Sequence, residues 1–191
     1  MRFTLFISAI LLLGCTPKDT IAIERQLILS ADFSHYDNFF PIQTLNLIKK
    51  GIKDKIHIMY VCFDPGIDGE KEFPGEDYMD DFSFKIMKDG KYQPTFDKSA
   101  LVIGNDFKEY FKEDFDSYKK LKAEGNISRF IEMPEKPEWW QYDQTPKNSK
   151  GKPMTFICQI DMGRIIINDD CRLFVFYDQD DRMVKYVYQR T

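Results

Sequence analysis

The chain has 191 residues, 43% of them hydrophobic and 30% charged, with a net charge of −4. That length and balance suit one domain with its own core, and exclude a disordered or predominantly membrane-embedded chain. The acidic balance is unsuited to nucleic acid, whose phosphates need clustered Lys and Arg, while 17 Phe and 10 Tyr favour sheet.

Residues 1–14 carry Arg2 and then an apolar run from Phe3 to Leu13. The run is too short to span a bilayer, which needs roughly 20 apolar residues. It has the charged start and apolar middle of a secretory signal. Its end, Leu12-Leu13-Gly14-Cys15, resembles the lipobox of bacterial lipoproteins. The resemblance implies cleavage before Cys15, acylation of that residue and a membrane-anchored place in the cell envelope. Thr16 follows where Asp would imply retention on an inner membrane, so the expected address is the outer membrane in a cell that has one. Without Arg2 the net charge of −4 becomes −5. Residues 15–24 are expected to be the lipidated Cys and its tether, and residues 25–191 a single globular domain.

Residues 26–31 (QLILSA) read as a strand and residues 32–40 as a loop. Pro41 suits a first helical position and Gly51 the residue after a helix. Between them Ile42, Leu45, Ile48 and Ile52 fall near helical spacing, which predicts a helix over 41–51. The β-forming run KIHIMYVCF predicts a central strand over 55–63, and with it a βαβ-like opening. Residues 64–81 hold eight acidic residues, one Lys, two Pro and three Gly, the composition of a long acidic loop.

Asp89-Gly90 between two β runs predicts a hairpin of 82–87 with 92–96. A short strand is expected at 100–103. Asn105 then caps a helix whose apolar positions are Phe107, Tyr110, Phe111, Phe115, Tyr118 and Leu121, ended by Gly125. Residues 127–153, with Pro134, Pro137, Pro146, Pro153 and the pair Trp139-Trp140, are irregular. A strand at 154–161 and a closing hairpin of 173–177 with 183–189 complete the chain. The expected fold is α+β: a single domain with a mostly antiparallel sheet and two main helices packed on it.

The last third also resembles a known family. Trp139-Trp140-Gln141-Tyr142-Asp143, then Pro153 to Asp161 (PMTFICQID), then Leu173 to Asp178 (LFVFYD) are similar to the uncharacterised YwqG-like family over about 50 residues. The resemblance implies an α+β sheet domain. Some relatives are associated with toxin-immunity loci, an analogy at the level of the fold.

Candidate chemistry is thin. His35 lies in a polar loop and His57 in an apolar strand; neither has the paired spacing of a zinc site, so no metal and no cofactor is expected. Cys158 and Cys171 either face each other as a disulfide on neighbouring strands or remain buried thiols. Cys62 and His57, an odd offset apart on one strand, point to opposite faces. Along 154–161, Met154, Phe156, Cys158 and Ile160 are expected to face the core. Gln159, off that face, is read as a clamp on the Trp-rich loop, with ligand contact as the other reading. The basic residues Lys49, Lys50, Lys53 and Lys55 read as a solvated helix end.

The candidate binding residues are therefore the acidic set Asp64, Asp68, Glu70, Glu72, Glu76, Asp77, Asp80 and Asp81, with Trp139, Trp140 and Gln159. No nucleophile–base signature appears, and no catalytic residue is assigned. The favoured function is a non-catalytic protein-binding module in the envelope, of immunity type in its sharpest form, meeting a basic partner by charge complementarity. The alternatives are an envelope hydrolase using carboxylates or His35, and a structural or assembly lipoprotein.

Overall fold

The computed structural model describes residues 17–64 and 81–190. The expected leader and Cys15 lie outside the described residues, as do Asp68, Glu70, Glu72, Glu76, Asp77 and Asp80.

Helix α1 (Pro17–Ile28) occupies the stretch expected to be a tether and the start of the first expected strand. The reason is a stripe of Ile21, Arg25 and Ile28, spaced to share one helical face and all buried. Arg25 is kept in that apolar face by an ion pair to Asp37. Just past the helix, Leu29 forms a parallel bridge to Tyr92, and Ser30 N donates to Tyr92 O at 2.9 Å.

The expected helix at 41–51 is instead strand β1 (Phe39–Asn46) and a single 3-10 turn, Ile48–Lys50. β1 pairs antiparallel with β2 (Lys55–Val61), with a bulge between Pro41 and Gln43. Pro41 lacks an N–H to donate to a ladder, so a bulge suits it. Phe39, Phe40 and Ile42 are all buried, which one helical stripe could not achieve for such close neighbours. Gly51 does terminate a helical turn, in the left-handed region at φ 83°. An antiparallel ribbon thus replaces the expected βαβ opening.

The main sheet comprises β3 (Phe82–Ile86), β4 (Tyr92–Pro94), β5 (Ile131–Glu132), β6 (Thr155–Asp161), β7 (Cys171–Asp178) and β8 (Met183–Arg190). Their order is β4-β3-β8-β7-β6-β5, and every pair is antiparallel. The two predicted hairpins, β3–β4 and β7–β8, are both present. The expected strand at 100–103 is a 3-10 turn, Lys98–Leu101, opened by Asp97, whose Oδ1 accepts from Ser99 N at 2.8 Å. Helix α2 (Lys108–Ala123) follows a short turn at 105–107. Asn105 does not cap it; its Oδ1 accepts from Lys108 Nζ at 2.7 Å. The molecule is an α+β domain with two helices, although the first of them is α1 rather than 41–51.

The layers follow from the aromatic residues. Phe111, Phe115 and Tyr118 of α2 pack on Phe40 of β1, the last stacked at 4.9 Å between ring centroids. On the other side of the ribbon, Phe39 of β1 meets Phe84 of β3 edge-on at 6.3 Å. The ribbon therefore lies between α2 and one face of the main sheet. The opposite face carries Phe174, Phe176 and Val187, covered by Trp139 and Met154.

From Ile56 to Val61 every residue of β2 is buried, yet only β1 pairs with it. Its outer edge therefore needs hydrogen-bond partners. Tyrosines of the main sheet supply them. His57 N donates to Tyr92 Oη at 2.9 Å and Val61 N to Tyr188 Oη at 3.0 Å, while Tyr186 Oη donates to His57 O. Tyr188→Phe leaves the Val61 N–H buried without that acceptor, so a loss of about 1–3 kcal/mol is expected in urea denaturation. A Tyr188→Phe protein as stable as the parent would show that the hydroxyl is not what accommodates the edge.

Candidate functional site

One cavity among the described residues is a groove of about 750 Å³. It opens between the end of α1, the β1–β2 ribbon, the β3–β4 turn and the β7–β8 turn. Leu27 and Ile28 form its apolar wall, and Thr44, Asp54 and His57 line it from the ribbon. The turns contribute Lys88 and Arg182, and Lys53 and Lys55 stand at the rim.

Asp54 is the most tightly held group. Arg182 grips it at two points, Nη2 to Oδ1 at 2.7 Å and Nε to Oδ2 at 3.2 Å, and Tyr177 Oη donates to Oδ2 at 2.8 Å. The Arg182 hydrogen bonds, the largest influence, hold its carboxyl below the usual carboxylate range. Arg182 adopts the left-handed conformation at φ 51°, which costs a non-glycine residue about 1 kcal/mol or more. The ion pair and the bond from Ile86 N to Arg182 O, at 2.8 Å, maintain it there.

His57 is buried at the inner end of the groove, its Nδ1 2.8 Å from Thr44 Oγ1. Burial, and then the positive charge of Lys55, push its pKa down to about 4. At neutral pH the groove thus presents a neutral imidazole beside an ionised carboxylate. Neither is poised to exchange a proton, since an efficient acid or base titrates near the working pH. The chemistry this arrangement offers is recognition through fixed charges.

His35 does not line the groove; it is exposed and stacks on Tyr36 at 4.3 Å. The thiols of Cys62, Cys158 and Cys171 are buried and form no disulfide among the described residues. Burial pushes Cys62 well up and Cys158 up to about 12, which leaves neither a useful thiolate. The considered disulfide is excluded by register: Cys158 faces Val175, four residues along β7 from Cys171. Four residues of strand span about 13 Å, beyond the roughly 7 Å that a disulfide allows.

Of the acidic set, Asp64 and Asp81 are described, and both are tied to the domain. Asp64 Oδ2 accepts from Gly104 N at 2.9 Å. Asp81 is buried, 3.5 Å from the equally buried Lys185. Of the basic set, Lys53 and Lys55 belong to the groove, a role that reading them as a helix end missed. Lys55 opens β2 and Lys53 stands two residues before it, so both follow from the strand rather than from a helix end.

Trp139, Trp140 and Gln159 lie together on the far face of the main sheet. A bulge between Phe156 and Cys158 turns β6 over, so Phe156 and Gln159 share this face while Cys158 and Ile160 point to the main core. The expectation that Met154 and Phe156 share a face with Cys158 and Ile160 fails on this one extra residue. Gln159 Oε1 accepts from Glu138 N at 2.9 Å, and its Nε2 donates to Glu132 at 2.9 Å and Glu138 at 2.7 Å. Gln189, which the sequence analysis passed over, does the same work on β8: its Oε1 accepts from Trp140 N and Gln141 N at 2.8 and 3.2 Å. Trp139 then packs on Phe174 with centroids 4.3 Å apart, and Arg172 sits 5.0 Å over Trp140. These contacts anchor the loop to the sheet.

The neutral His57 makes stability pH-dependent. Its folded pKa lies near 4, whereas an unfolded His titrates near about 6.5. Between these values the unfolded chain binds the extra proton, so stability falls as pH drops through that window and levels off below it. Thermal melts from pH 7 to pH 4 should lose part of their slope in His57→Gln; an unchanged slope would place the proton uptake elsewhere.

No protein-family model matches this chain, nor does any curated protein or any solved structure.

Proposed function

We propose that the chain is a cell-envelope lipoprotein, anchored through an acylated Cys15, whose domain is a non-catalytic protein-binding module. The observation that carries the binding reading is the fixed charge state of the groove. Asp54 is locked ionised by Arg182 and Tyr177, and His57 is locked neutral by burial. Groups so fixed position a partner; they do not relay protons. The likeness to the YwqG-like family is consistent with this reading, and its association with immunity loci gives the sharper form, a protein that neutralises a basic partner.

The start of α1 bears on the anchor. Helix begins at Pro17, two residues after Cys15, and two residues reach at most about 7 Å. An acyl group on Cys15 would therefore hold the domain directly against the bilayer rather than on a leash. The six acidic residues Asp68, Glu70, Glu72, Glu76, Asp77 and Asp80 are assigned to the basic partner, because opposite charge steers encounter and fixes register.

Two measurements test the two halves of the proposal. Cys15→Ser should move the protein from the membrane pellet to the soluble fraction; continued pelleting would end the lipoprotein reading. Crosslinking capture from native envelopes should yield a dominant basic protein. Its affinity should fall and lose salt dependence when the six carboxylates are replaced by amides. Affinity and salt dependence that survive the replacement would rule out the charge mechanism.

A further inference from the structure

We propose that the groove beside His57 is a binding site for a phosphate monoester, either free or as the headgroup of a membrane lipid. The inference deepens the binding reading above by naming a ligand class for the groove, and it does not depend on acylation of Cys15.

Charge balance is the first argument. Of the charged residues lining the groove, Arg182 is neutralised by Asp54 and Glu24 by Lys122, the latter pair at 2.9 Å. Lys53, Lys55, Lys88 and Asp89 are left, a residual charge of +2 on a chain whose net charge is −4. All three lysines are exposed and make no ion pair among the described residues. They come from two separate elements, the ribbon and the β3–β4 turn, so the fold gathers positive charge here against the sign of the whole protein. A phosphate monoester carries about −1.5 to −2 near neutral pH and matches the surplus, where a single carboxylate would leave half of it. Lysine also suits phosphate, as a point charge without the planar fork that favours a carboxylate.

Hydrogen bonding is the second argument. With Nδ1 engaged by Thr44 Oγ1, the Nε2 of His57 makes no hydrogen bond among the described residues. When Nδ1 accepts the threonine hydroxyl, the neutral ring carries its proton on Nε2, a donor for a phosphate oxygen. Arg182 cannot swing out to compete, because Asp54 holds it at two points. Apolar Leu27, 70% exposed on α1 beside the groove, gives the carbon portion of the ligand a surface. This combination fits a phosphate ester better than bare phosphate.

Burial first, and then the positive charge of Lys55 on the ring, depress the basicity of His57 in the free protein. A bound dianion reverses that influence and raises the titration midpoint of the ring. This readout is specific to the groove and independent of any activity.

The test titrates the full chain, in nonionic detergent at low ionic strength, with glycerol phosphate and with inorganic phosphate, following the His57 ring protons by NMR. Saturable binding that moves the His57 midpoint upward is expected. It should weaken about tenfold or more in K53A/K55A/K88A and with added salt. The three lysines are exposed, so this variant should keep the parent melting temperature. A parallel arm adds vesicles of phosphatidylcholine with or without phosphatidic acid, whose phosphate is a monoester. Movement of the His57 midpoint with glycerol phosphate identifies a free ester as sufficient, and movement with phosphatidic acid vesicles alone identifies the headgroup; both uphold the site. No movement with any of the probes, or a movement that the triple variant retains, overturns it. Failure here leaves the Cys15→Ser fractionation and the partner capture untouched, so the two proposals fail separately.

Discussion

The fold depends on burying one unpaired strand edge. β2 is enclosed along nearly its whole length but has a single hydrogen-bonding neighbour, β1. A two-stranded ribbon is marginal by itself, and an edge buried without partners costs free energy at each orphaned group. The hydroxyls of Tyr92, Tyr186 and Tyr188 meet that edge from the main sheet. Each of these rings is also core, so one residue type supplies apolar area and the polar contact together. Tyr118 does the equivalent for β1 from the helical side, donating to Pro41 O at 2.6 Å. The architecture is thus helices, ribbon and sheet joined by tyrosines at both faces of the ribbon.

The groove is a consequence of that docking. The tyrosine bonds at His57 N and O hold the backbone of β2 against the sheet at the point where its side chain meets Thr44. Neighbouring Asp54, just before the strand, meets Arg182 in the turn after β7. Groups distant in sequence therefore acquire fixed protonation states through packing: one is ionised by its partner, the other kept neutral by burial. The same logic runs on the far face, where two buried glutamines, Gln159 and Gln189, replace a missing strand by taking the loop backbone at 138–141 as their partner. The acidic turns near the end of the chain are likewise structural. Asp178 accepts from Asp181 N at 2.6 Å and from Asn148 at 3.0 Å, and Asp180 pairs with Lys150 at 2.9 Å.

These arrangements separate two charge systems on one acidic protein. The carboxylates at the ends of the 64–81 segment are committed to the domain, through Gly104 and Lys185. The lysines of the groove are not committed among the described residues. The proposed recognition of a basic protein by the six carboxylates between those ends and that of a phosphate by the groove lysines are compatible, because they draw on different parts of the chain.

What the sequence by itself determined is what depends on local pattern. The aromatic stripe of α2 has one period, helical, over sixteen residues. Asp89-Gly90 and the acidic turn after β7 close hairpins by their own turn chemistry, and the β-forming run at 55–61 became a strand. The clamp by Gln159 was legible too, since a polar residue within a buried strand must find partners. What only the tertiary structure decided is where local pattern is ambiguous. Ile42, Leu45 and Ile48 satisfy a helical spacing, but Phe39, Phe40 and Ile42 are consumed by β2 on one side and α2 on the other, and a strand alone buries them together. Residues 15–24 read as a tether and 26–31 as a strand because the stripe Ile21, Arg25 and Ile28 contains an arginine, acceptable in a core only once Asp37 is brought to it from across a turn. The groove was illegible for the same reason. Its charge states belong to pairs such as Asp54 with Arg182, 128 residues apart, and no local feature of a chain specifies which distant charge will meet it.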